Sequence, residues 1–353
     1  MKVKAGINGF GRIGRMCLRA SLNNPNLEVV AINGTSPPSS LAHLLKYDTV
    51  HGTLDADVRW DDDHLIINGR AIRIVSDRNP ANIYWGDLGV DVVIESTGKF
   101  NSGPASRIHL ENGAKKVVIT APAKDEDITI VMGVNENKYN PNIHHIISNA
   151  SCTTNCLGPV VKVLNEKFGI SYGFMSTVHA FTTDQRSLDN SHKDLRRARA
   201  CSQSIVPTTT GAAKAIGIVM PELKGRLNGI SIRVPVPDVS LVDLVVDLNR
   251  EVTVKEINSA FAEAANGPLK KYLQCCNEPL VSSDFKGNSY SAIIDTLSTM
   301  VIGPKTAKIL AWYDNEWGYA CRVIDLAEYV TQPIIAQKDS SDKEMIPTKQ
   351  KVG

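Results

Sequence analysis

Near its start the chain reads Val3-Lys4-Ala5-Gly6-Ile7-Asn8-Gly9-Phe10-Gly11-Arg12-Ile13-Gly14-Arg15, and this stretch decides the fold. Its first part, 3–7, alternates apolar with polar or small residues, which predicts a β-strand. Apolar residues then recur at helical spacing over 12–22, and 27–32 is an apolar run of strand length. A strand, a helix and a strand in such close succession form one βαβ unit, so a parallel sheet begins here.

Three glycines in this stretch fit the pattern GxGxxG, placed between the predicted strand and helix. Gly9 permits a tight turn, Gly11 lets a pyrophosphate approach the backbone, and Gly14 lets helix and strand pack closely. The helix N-terminus then offers amide donors to phosphate. The pattern predicts dinucleotide binding, and an ordinary strand–helix turn is the competing interpretation.

The rest of the chain divides into two patterns. Apolar runs at 91–95 and 116–119, with a short helix predicted at 107–113, continue the parallel sheet. Longer alternating strands follow over 175–179, 228–234 and 242–248, which indicates an α+β region with one covered sheet face. A last amphipathic helix is predicted around 323–330, and a polar tail after it.

Composition limits the class of protein. A chain of 353 residues favours two domains, and 39 Lys plus Arg against 37 Asp plus Glu give a net charge of +2. Such a balance provides no general attraction to nucleic acid or to anionic membranes. No apolar stretch is long enough for a transmembrane helix, and the N-terminus lacks a signal-peptide pattern. With seven thinly spread cysteines, we expect a cytoplasmic protein with free thiols.

Cys152 differs from the other cysteines because a helical pattern begins there, directly after the candidate N-cap Ser151. Helix-terminal amides favour thiolate over thiol, and a nearby imidazole would lower the pKa further. Pro159 predicts a kink or an offset first turn. Cys156 brings no second Cys/His pair of ligand spacing, so no metal site is expected. The remaining cysteines are interpreted as small buried apolar residues: Cys17, Cys201, Cys275, Cys276 and Cys321.

The end of the second predicted strand, 32–36, contains no acidic residue. An acid at this place usually binds the adenosine ribose and would repel the 2′-phosphate of NADP. Its absence permits NADP, although a simple Asn-Gly turn explains the same residues.

Several long motifs, taken together, resemble the glyceraldehyde-3-phosphate dehydrogenase family. The resemblance covers roughly residues 2–334 and includes the active-site signature of the family at 150–156. The matching segments are 8–15, 150–156, 176–182, 208–215, 233–235 and 312–319. It implies an α/β protein with a Rossmann-type parallel-sheet domain and an α+β catalytic domain whose sheet is mostly antiparallel.

The resemblance implies a phosphorylating aldehyde dehydrogenase of glycolysis and gluconeogenesis. Cys152 would attack the aldehyde of glyceraldehyde 3-phosphate, and His179 would pair with the thiol and act as general base. Inorganic phosphate would then take the acyl group, which yields 1,3-bisphosphoglycerate. Alternation puts His179 on the same strand face as Met175 and Thr177, so a buried core histidine is the alternative from spacing alone.

The remaining site residues are carried over from the family pattern. The attacking phosphate maps onto Ser151, Thr153, Thr210 and Gly211, with Arg197 in reach, and the substrate's own phosphate maps onto Thr182 and Arg233. Arg12 and Ile13 would contact the cofactor pyrophosphate through their backbone. Thr97 and Thr120 would lie near the ribose and nicotinamide, and Asn315 would hold the carboxamide.

Two departures from the NAD-specific pattern concern the cofactor. Gly34 replaces an aspartate, and Asn190-Ser191 replaces Leu-Pro, as in members that accept NADP. Thr35, Arg78 and Ser191 are therefore candidate contacts of a 2′-phosphate, and we expect NADP, NAD or both.

The domain organisation follows from the same resemblance. We expect a dinucleotide-binding domain over 1–150, completed by a returning helix at 316–335, a catalytic domain over 151–315, and a polar tail over 336–353. The loop 182–203 would reach the cofactor of a neighbouring subunit in a homotetramer. Two alternatives stay open: an erythrose-4-phosphate dehydrogenase, and a non-catalytic binding protein with the same fold.

Overall fold

A computed structural model describes residues 2–344, which form two β-sheets with helices packed on them. The first sheet has the order β3-β4-β5-β2-β1-β6-β7-β9-β8. Its strands are β1 (Val3–Asn8), β2 (Leu27–Asn33), β3 (Val58–Trp60), β4 (His64–Ile67), β5 (Arg70–Val75), β6 (Val92–Glu95), β7 (Lys116–Ile119), β8 (Ile128–Thr129) and β9 (Ile146–Ser148). All its pairs are parallel except those joining β3, β4 and β5, so the predicted parallel sheet is confirmed.

Three helices belong to this part of the chain: α1 (Arg12–Ser21), α2 (Pro38–Lys46) and α3 (Gly103–Glu111). The sequence predicted α3 at 107–113, but the helix begins earlier. The hydroxyl of Ser102 accepts a hydrogen bond from the amide of Ala105, and Pro104 lies in the first turn, where its missing N–H costs nothing.

The second sheet has the order β11-β12-β10-β13-β17-β15-β14, with β16 paired to β17. Its strands are β10 (Ile170–Ala180), β11 (Val206–Thr209), β12 (Leu227–Val234), β13 (Ser240–Leu248), β14 (Leu273–Cys276), β15 (Ala292–Asp295), β16 (Met300–Ile302) and β17 (Thr306–Tyr313). Only β10–β12 and β14–β15 pair in parallel, which confirms a mostly antiparallel sheet. The remaining helices are α4 (Cys152–Phe168), α5 (Ala212–Val219), α6 (Val254–Asn266) and α7 (Trp317–Glu344).

Helix α4 lies in the apolar core of the second sheet and runs through Pro159 as one helix. The sequence predicted a kink or an offset first turn at Pro159, and the helix assignment is continuous through this residue. The side chains from Thr153 to Val161 are buried, so packing on both sides of the proline offsets the lost backbone hydrogen bond, which costs about 3 kcal/mol.

Helix α7 returns to the first sheet. Apolar residues along its length, among them Val323, Leu326 and Val330, share one core with α1 and the central strands β1 and β6. The helix continues through Pro333 to Glu344, beyond the expected end at 335. The rest of the predicted tail, 345–353, lies outside the described residues. Within 2–344, no helix has the length and hydrophobicity needed to cross a membrane.

Candidate active site

The glycine turn between β1 and α1 requires glycine at two of its positions. Gly9 has φ +96°, and a Cβ there would lie 2.7 Å from the backbone nitrogen of Thr97. A Cβ at Gly14 would lie 2.1 Å from the carbonyl oxygen of Gly9. Around Gly11 no atom would come within 4 Å of a Cβ, so this part of the turn is open. The open backbone is the place where a pyrophosphate can approach.

The start of α1 is equipped to hold phosphate. Its N-cap is Gly11, no side chain caps the helix, and its first turn contains no acidic residue. The backbone N–H groups of this turn therefore donate to no capping side chain. Their positive partial charges face the opening. These features fit a dinucleotide cofactor.

A cavity of about 550 Å³ adjoins the glycine turn. Six predicted cofactor residues line it together: Gly9, Gly11, Gly34, Thr35, Arg78 and Thr97. Ser191, the other candidate 2′-phosphate contact, lies instead in an exposed loop, where its carbonyl accepts a hydrogen bond from Arg186.

Behind the cavity lies a buried hydrogen-bond network that the sequence analysis missed. The carboxylate of Glu95 accepts hydrogen bonds from Asn8 Nδ2 (2.5 Å) and from the backbone amide of Thr97 (2.8 Å), and His109 Nε2 lies 3.1 Å from it. The side chain of Asn33 continues the network to the loop that carries Arg78, by donating to the carbonyl of Asp77 (2.8 Å). Glu95 ends a parallel strand, and that position is the signal that could have found it.

The other predicted cofactor residues lie at ends of strands and helices. The Arg12 guanidinium is held by Asp48 and Glu316, so only its backbone faces the glycine turn, as does that of Ile13. Thr120 follows β7 and donates its hydroxyl to the carbonyl of Glu95 (3.1 Å). Asn315 is buried after β17, where its Oδ1 accepts a hydrogen bond from Ser240 (2.7 Å).

The centre of the second site is a pair formed by Cys152 and His179, whose Sγ and Nε2 atoms are 3.5 Å apart. Cys152 is the first residue of α4, and Ser151 is its N-cap, with a hydroxyl that accepts from the amide of Thr154 (3.0 Å). His179 lies near the end of β10. A helix start and a strand end thus bring together two residues that are distant in sequence.

The hydrogen bonds of His179 assign its tautomer. Nδ1 lies 2.7 Å from the carbonyl oxygen of Ala180, and this contact requires a proton on Nδ1. Nε2 then presents its lone pair to Cys152. Arg233 Nη1 also lies 3.0 Å from Nδ1 of His179. The N–H group of Arg233 does not need Nδ1 as an acceptor, because it donates to the same carbonyl of Ala180 (3.1 Å). This tautomer is the one that a general base for Cys152 needs.

Burial works against the charged form of this pair. It raises the pKa of the Cys152 thiol, and the Arg233 guanidinium counteracts it only in part. Burial, together with Arg233, lowers the pKa of His179 to about 3. The thiolate expected from the helix start alone is thus opposed by desolvation, and the free pair is a neutral thiol beside a neutral imidazole.

Two arginines lie beside the pair. Arg233 is largely buried, and its Nη1 lies 3.5 Å from the hydroxyl of Thr182. Arg197 pairs with Asp184 and donates to Thr208 (3.0 Å) and to the carbonyl of Thr209 (3.2 Å). Both guanidiniums act on His179 by lowering its pKa.

Not every predicted phosphate contact faces an opening. The hydroxyl of Thr153 is buried and lies 2.9 Å from that of Tyr313, so it is engaged within the protein. Thr210 and Gly211 form the start of α5, where the Thr210 hydroxyl accepts from the amide of Ala212 (3.2 Å). A Cβ at Gly211 would meet no atom within 4 Å, so this helix start is open.

The fold and the site define a dinucleotide-binding oxidoreductase whose second site pairs a cysteine with a histidine. The chain belongs to the glyceraldehyde-3-phosphate dehydrogenase family. The NAD binding domain of that family matches residues 3–103, and its C-terminal domain matches 151–315.

Relatives with this name are similar along almost the whole chain. The glyceraldehyde-3-phosphate dehydrogenase of Geobacillus stearothermophilus is 60% identical, over 94% of this chain and 98% of the relative. Glyceraldehyde-3-phosphate dehydrogenase 1 of Bacillus subtilis (strain 168) is 58% identical, over 94% and 99%. The Streptomyces coelicolor enzyme is 56% identical over the same shares. The predicted family is confirmed.

Proposed function

We propose that the chain oxidises glyceraldehyde 3-phosphate to 1,3-bisphosphoglycerate, reversibly, through a thioester on Cys152. The observation that carries this proposal is the distance of 3.5 Å between Cys152 Sγ and the unprotonated nitrogen of His179. Family membership supports the reaction, and the pair supports its mechanism.

In the first step Sγ forms a bond to the aldehyde carbon while its proton passes to His179 Nε2, which overcomes the preference of the buried thiol for its neutral form. The imidazolium returns this proton to the oxygen of the former aldehyde, which gives a thiohemiacetal and a neutral imidazole. The imidazole then takes the hydroxyl proton as the thioester forms. Bound NAD or NADP would supply the acceptor for the hydride that leaves the same carbon. The product of this step is an acyl group on Cys152.

In the second step inorganic phosphate attacks the thioester and Cys152 leaves as thiolate. Ser151, Thr210, Gly211, Arg197 and the backbone of Thr153 supply donors for this phosphate, because they surround the starts of α4 and α5. Thr182 and Arg233 would bind the phosphate of the substrate itself. Bound phosphate would take Arg197 from its present partner Asp184.

The glycine turn and the cavity beside it would hold the cofactor. The backbone of Gly9, Gly11, Arg12 and Ile13 would hold the pyrophosphate. Thr97 and Thr120 would lie near the ribose and nicotinamide, and Asn315 would hold the carboxamide. For NADP, Gly34, Thr35 and Arg78 would receive the 2′-phosphate, with Ser191 from a neighbouring subunit.

The exposed face of the second sheet supports self-association. Four apolar side chains stand on it in adjacent strands, each more than one-third exposed: Tyr172, Phe174, Ile230 and Val245. An apolar patch of this kind usually marks a protein interface. We infer a homotetramer, located in the cytoplasm, with domains at 1–150 plus α7 and at 151–315.

Steady-state turnover of glyceraldehyde 3-phosphate with NAD or NADP, with and without phosphate, tests the proposal. We expect turnover that requires phosphate or arsenate. Turnover that ignores phosphate and prefers erythrose 4-phosphate would indicate the hydrolytic alternative. A Cys152 that fails to form an acyl-enzyme in a burst titration would indicate a non-catalytic protein.

A further inference from the structure

A second cluster of chemical groups lies away from Cys152, where the two sheets meet. His51 follows α2, Asp238 lies between β12 and β13, and Glu316 lies between β17 and α7. His51 Nε2 is 3.0 Å from Glu316 Oε2 and 3.9 Å from Asp238 Oδ2, and the three donor atoms lie within 4.8 Å of one another. Three distant segments thus converge on one point.

Asp238 is the unusual member of this cluster. Its side chain is fully buried, and among the described residues neither carboxylate oxygen has a hydrogen-bond partner. Burying an uncompensated carboxylate is costly.

The cations of this region are engaged with other groups. Arg12 is held by two other carboxylates, and His51 Nε2 is closer to Glu316 (3.0 Å) than to Asp238 (3.9 Å). Arg15 and Arg19 donate to backbone carbonyls instead. A positive charge held directly beside Asp238 would compensate its buried carboxylate.

We propose that His51, Asp238 and Glu316 bind a divalent transition-metal cation, of the class of Mn²⁺ or Zn²⁺. One imidazole nitrogen and two carboxylate oxygens form a ligand set that suits these ions. Metal–ligand bonds of about 2.0–2.2 Å place neighbouring ligand atoms roughly 3–3.5 Å apart. The distances from His51 Nε2 to Glu316 Oε2 (3.0 Å) and to Asp238 Oδ2 (3.9 Å) are close to this value.

The surroundings allow an ion to enter and to complete its coordination with water. His51 also lines a cavity of about 670 Å³ between α1 and β4. The ion would displace Arg12 Nη2 from Glu316 Oε2, while Arg12 Nε keeps its bond of 2.7 Å to Oε1.

Mn²⁺ is the probe for the test, because cysteine sulfur, such as that of Cys152, binds it weakly. The full-length protein is titrated with MnCl₂ without substrate or cofactor, and the loss of the electron paramagnetic resonance signal of free Mn²⁺ reports binding. We expect about one ion per chain, and at least tenfold weaker binding in Asp238→Asn, which preserves shape and removes charge. Asp243→Asn is the matched control, since Asp243 lies on β13 and pairs with Lys308 of the neighbouring strand β17 (2.7 Å).

His51→Gln is measured in parallel, so that the test survives if Asp238→Asn does not fold. Wild-type protein that takes up no Mn²⁺ would overturn the proposal. So would a folded Asp238→Asn or His51→Gln variant that binds Mn²⁺ as well as wild type does. Because no turnover is measured, failure here is separate from failure of the proposed reaction.

Discussion

At the scale of single residues, the chemistry depends on Cys152 and His179 acting as one unit. Desolvation keeps each of them neutral, so the helix start alone does not make Cys152 a thiolate. The hydrogen bond from Nδ1 to Ala180 leaves Nε2 free to take the thiol proton. Reactivity thus arises when the proton moves between the two residues.

Cys152→Ser should abolish oxidation and leave the fold intact. A hydroxyl is a far weaker nucleophile than a thiol at neutral pH, since the attacking species is the anion. Turnover and circular dichroism of the variant check this expectation. Normal turnover would exclude the thioester mechanism.

His179→Asn should lower turnover by about 10²- to 10⁴-fold, the usual effect of removing a general base. Without the imidazole, the buried thiol of Cys152 must ionise alone, so its alkylation by iodoacetamide should shift to higher pH. The pH profile of alkylation measures this. An unchanged rate and profile would instead make His179 a residue of the core.

His179→Asn should also change how the free energy of unfolding depends on pH. The pKa of His179 is about 3 when folded, against about 6.5 when unfolded, so below pH 6.5 the unfolded chain binds a proton that the folded chain does not. The contribution of His179 to the free energy of unfolding is therefore fully present above pH 6.5 and declines as the pH falls. When the pH is lowered from 7 to 5, we expect the free energy of unfolding to fall by about 2 kcal/mol less in His179→Asn than in wild type. Urea denaturation at the two pH values measures this difference.

Gly34→Asp should shift cofactor preference toward NAD. Its carboxylate would offer a ribose partner and repel a 2′-phosphate, by about 4 kcal/mol at 4 Å before screening. We expect a fall of about 5- to 150-fold in the NADP/NAD ratio of kcat/KM.

Gly34→Ala is the control for packing. A Cβ at this position would lie 3.2 Å from Leu41 and 3.3 Å from Phe10, so both variants must displace these side chains slightly. Only the aspartate adds charge. If both variants move the ratio equally, packing rather than charge is responsible, and the proposed role of Gly34 fails.

At the scale of elements, the sequence predicted a helix start where a local signal at that start was used, and missed the start of α3, whose N-cap Ser102 was not used. The glycine pattern before α1 and Ser151 before α4 act on the adjacent turn, so the sequence shows them directly. Pro159 and Pro333 also act locally, but tertiary packing of α4 and α7 outweighs them. A sequence pattern carries no measure of that packing.

Leu326→Ala should destabilise the protein by about 2–5 kcal/mol, because removing this fully buried side chain of α7 creates a cavity beside the first sheet. Urea denaturation gives the change. Gln332→Ala, on an exposed position of the same helix, should change stability by less than about 0.5 kcal/mol. Equal effects would mean that α7 contributes through helix propensity and not through packing.

At the scale of the whole molecule, each site joins residues from distant parts of the chain. The resemblance located Cys152, His179 and Arg233 because long motifs surround them. The Glu95 network and the cluster of His51, Asp238 and Glu316 were not predicted, because folding brings together residues that mostly lie outside these motifs. Sequence patterns predicted both sheets but not these three-dimensional contacts.

Phe174→Glu should disrupt the proposed homotetramer. Phe174 is 70% exposed on the outer face of the second sheet, so a buried interface there would have to accommodate an unpaired carboxylate. Light scattering after gel filtration should show a smaller assembly. Asn228→Glu, at an exposed polar position paired with Phe174 on β12, tests whether any added charge has this effect. An unchanged mass for Phe174→Glu would place the interface elsewhere.

The position of α7 has a consequence for synthesis on the ribosome. The strands of the first sheet lie between residues 3 and 148, but the helix that covers them begins only at Trp317. At about 5–20 residues per second, roughly 10–35 s pass between the emergence of the last of these strands and that of its cover. During this interval an apolar sheet face is exposed to solvent. Nascent chains should therefore depend on holdase chaperones until translation is nearly complete.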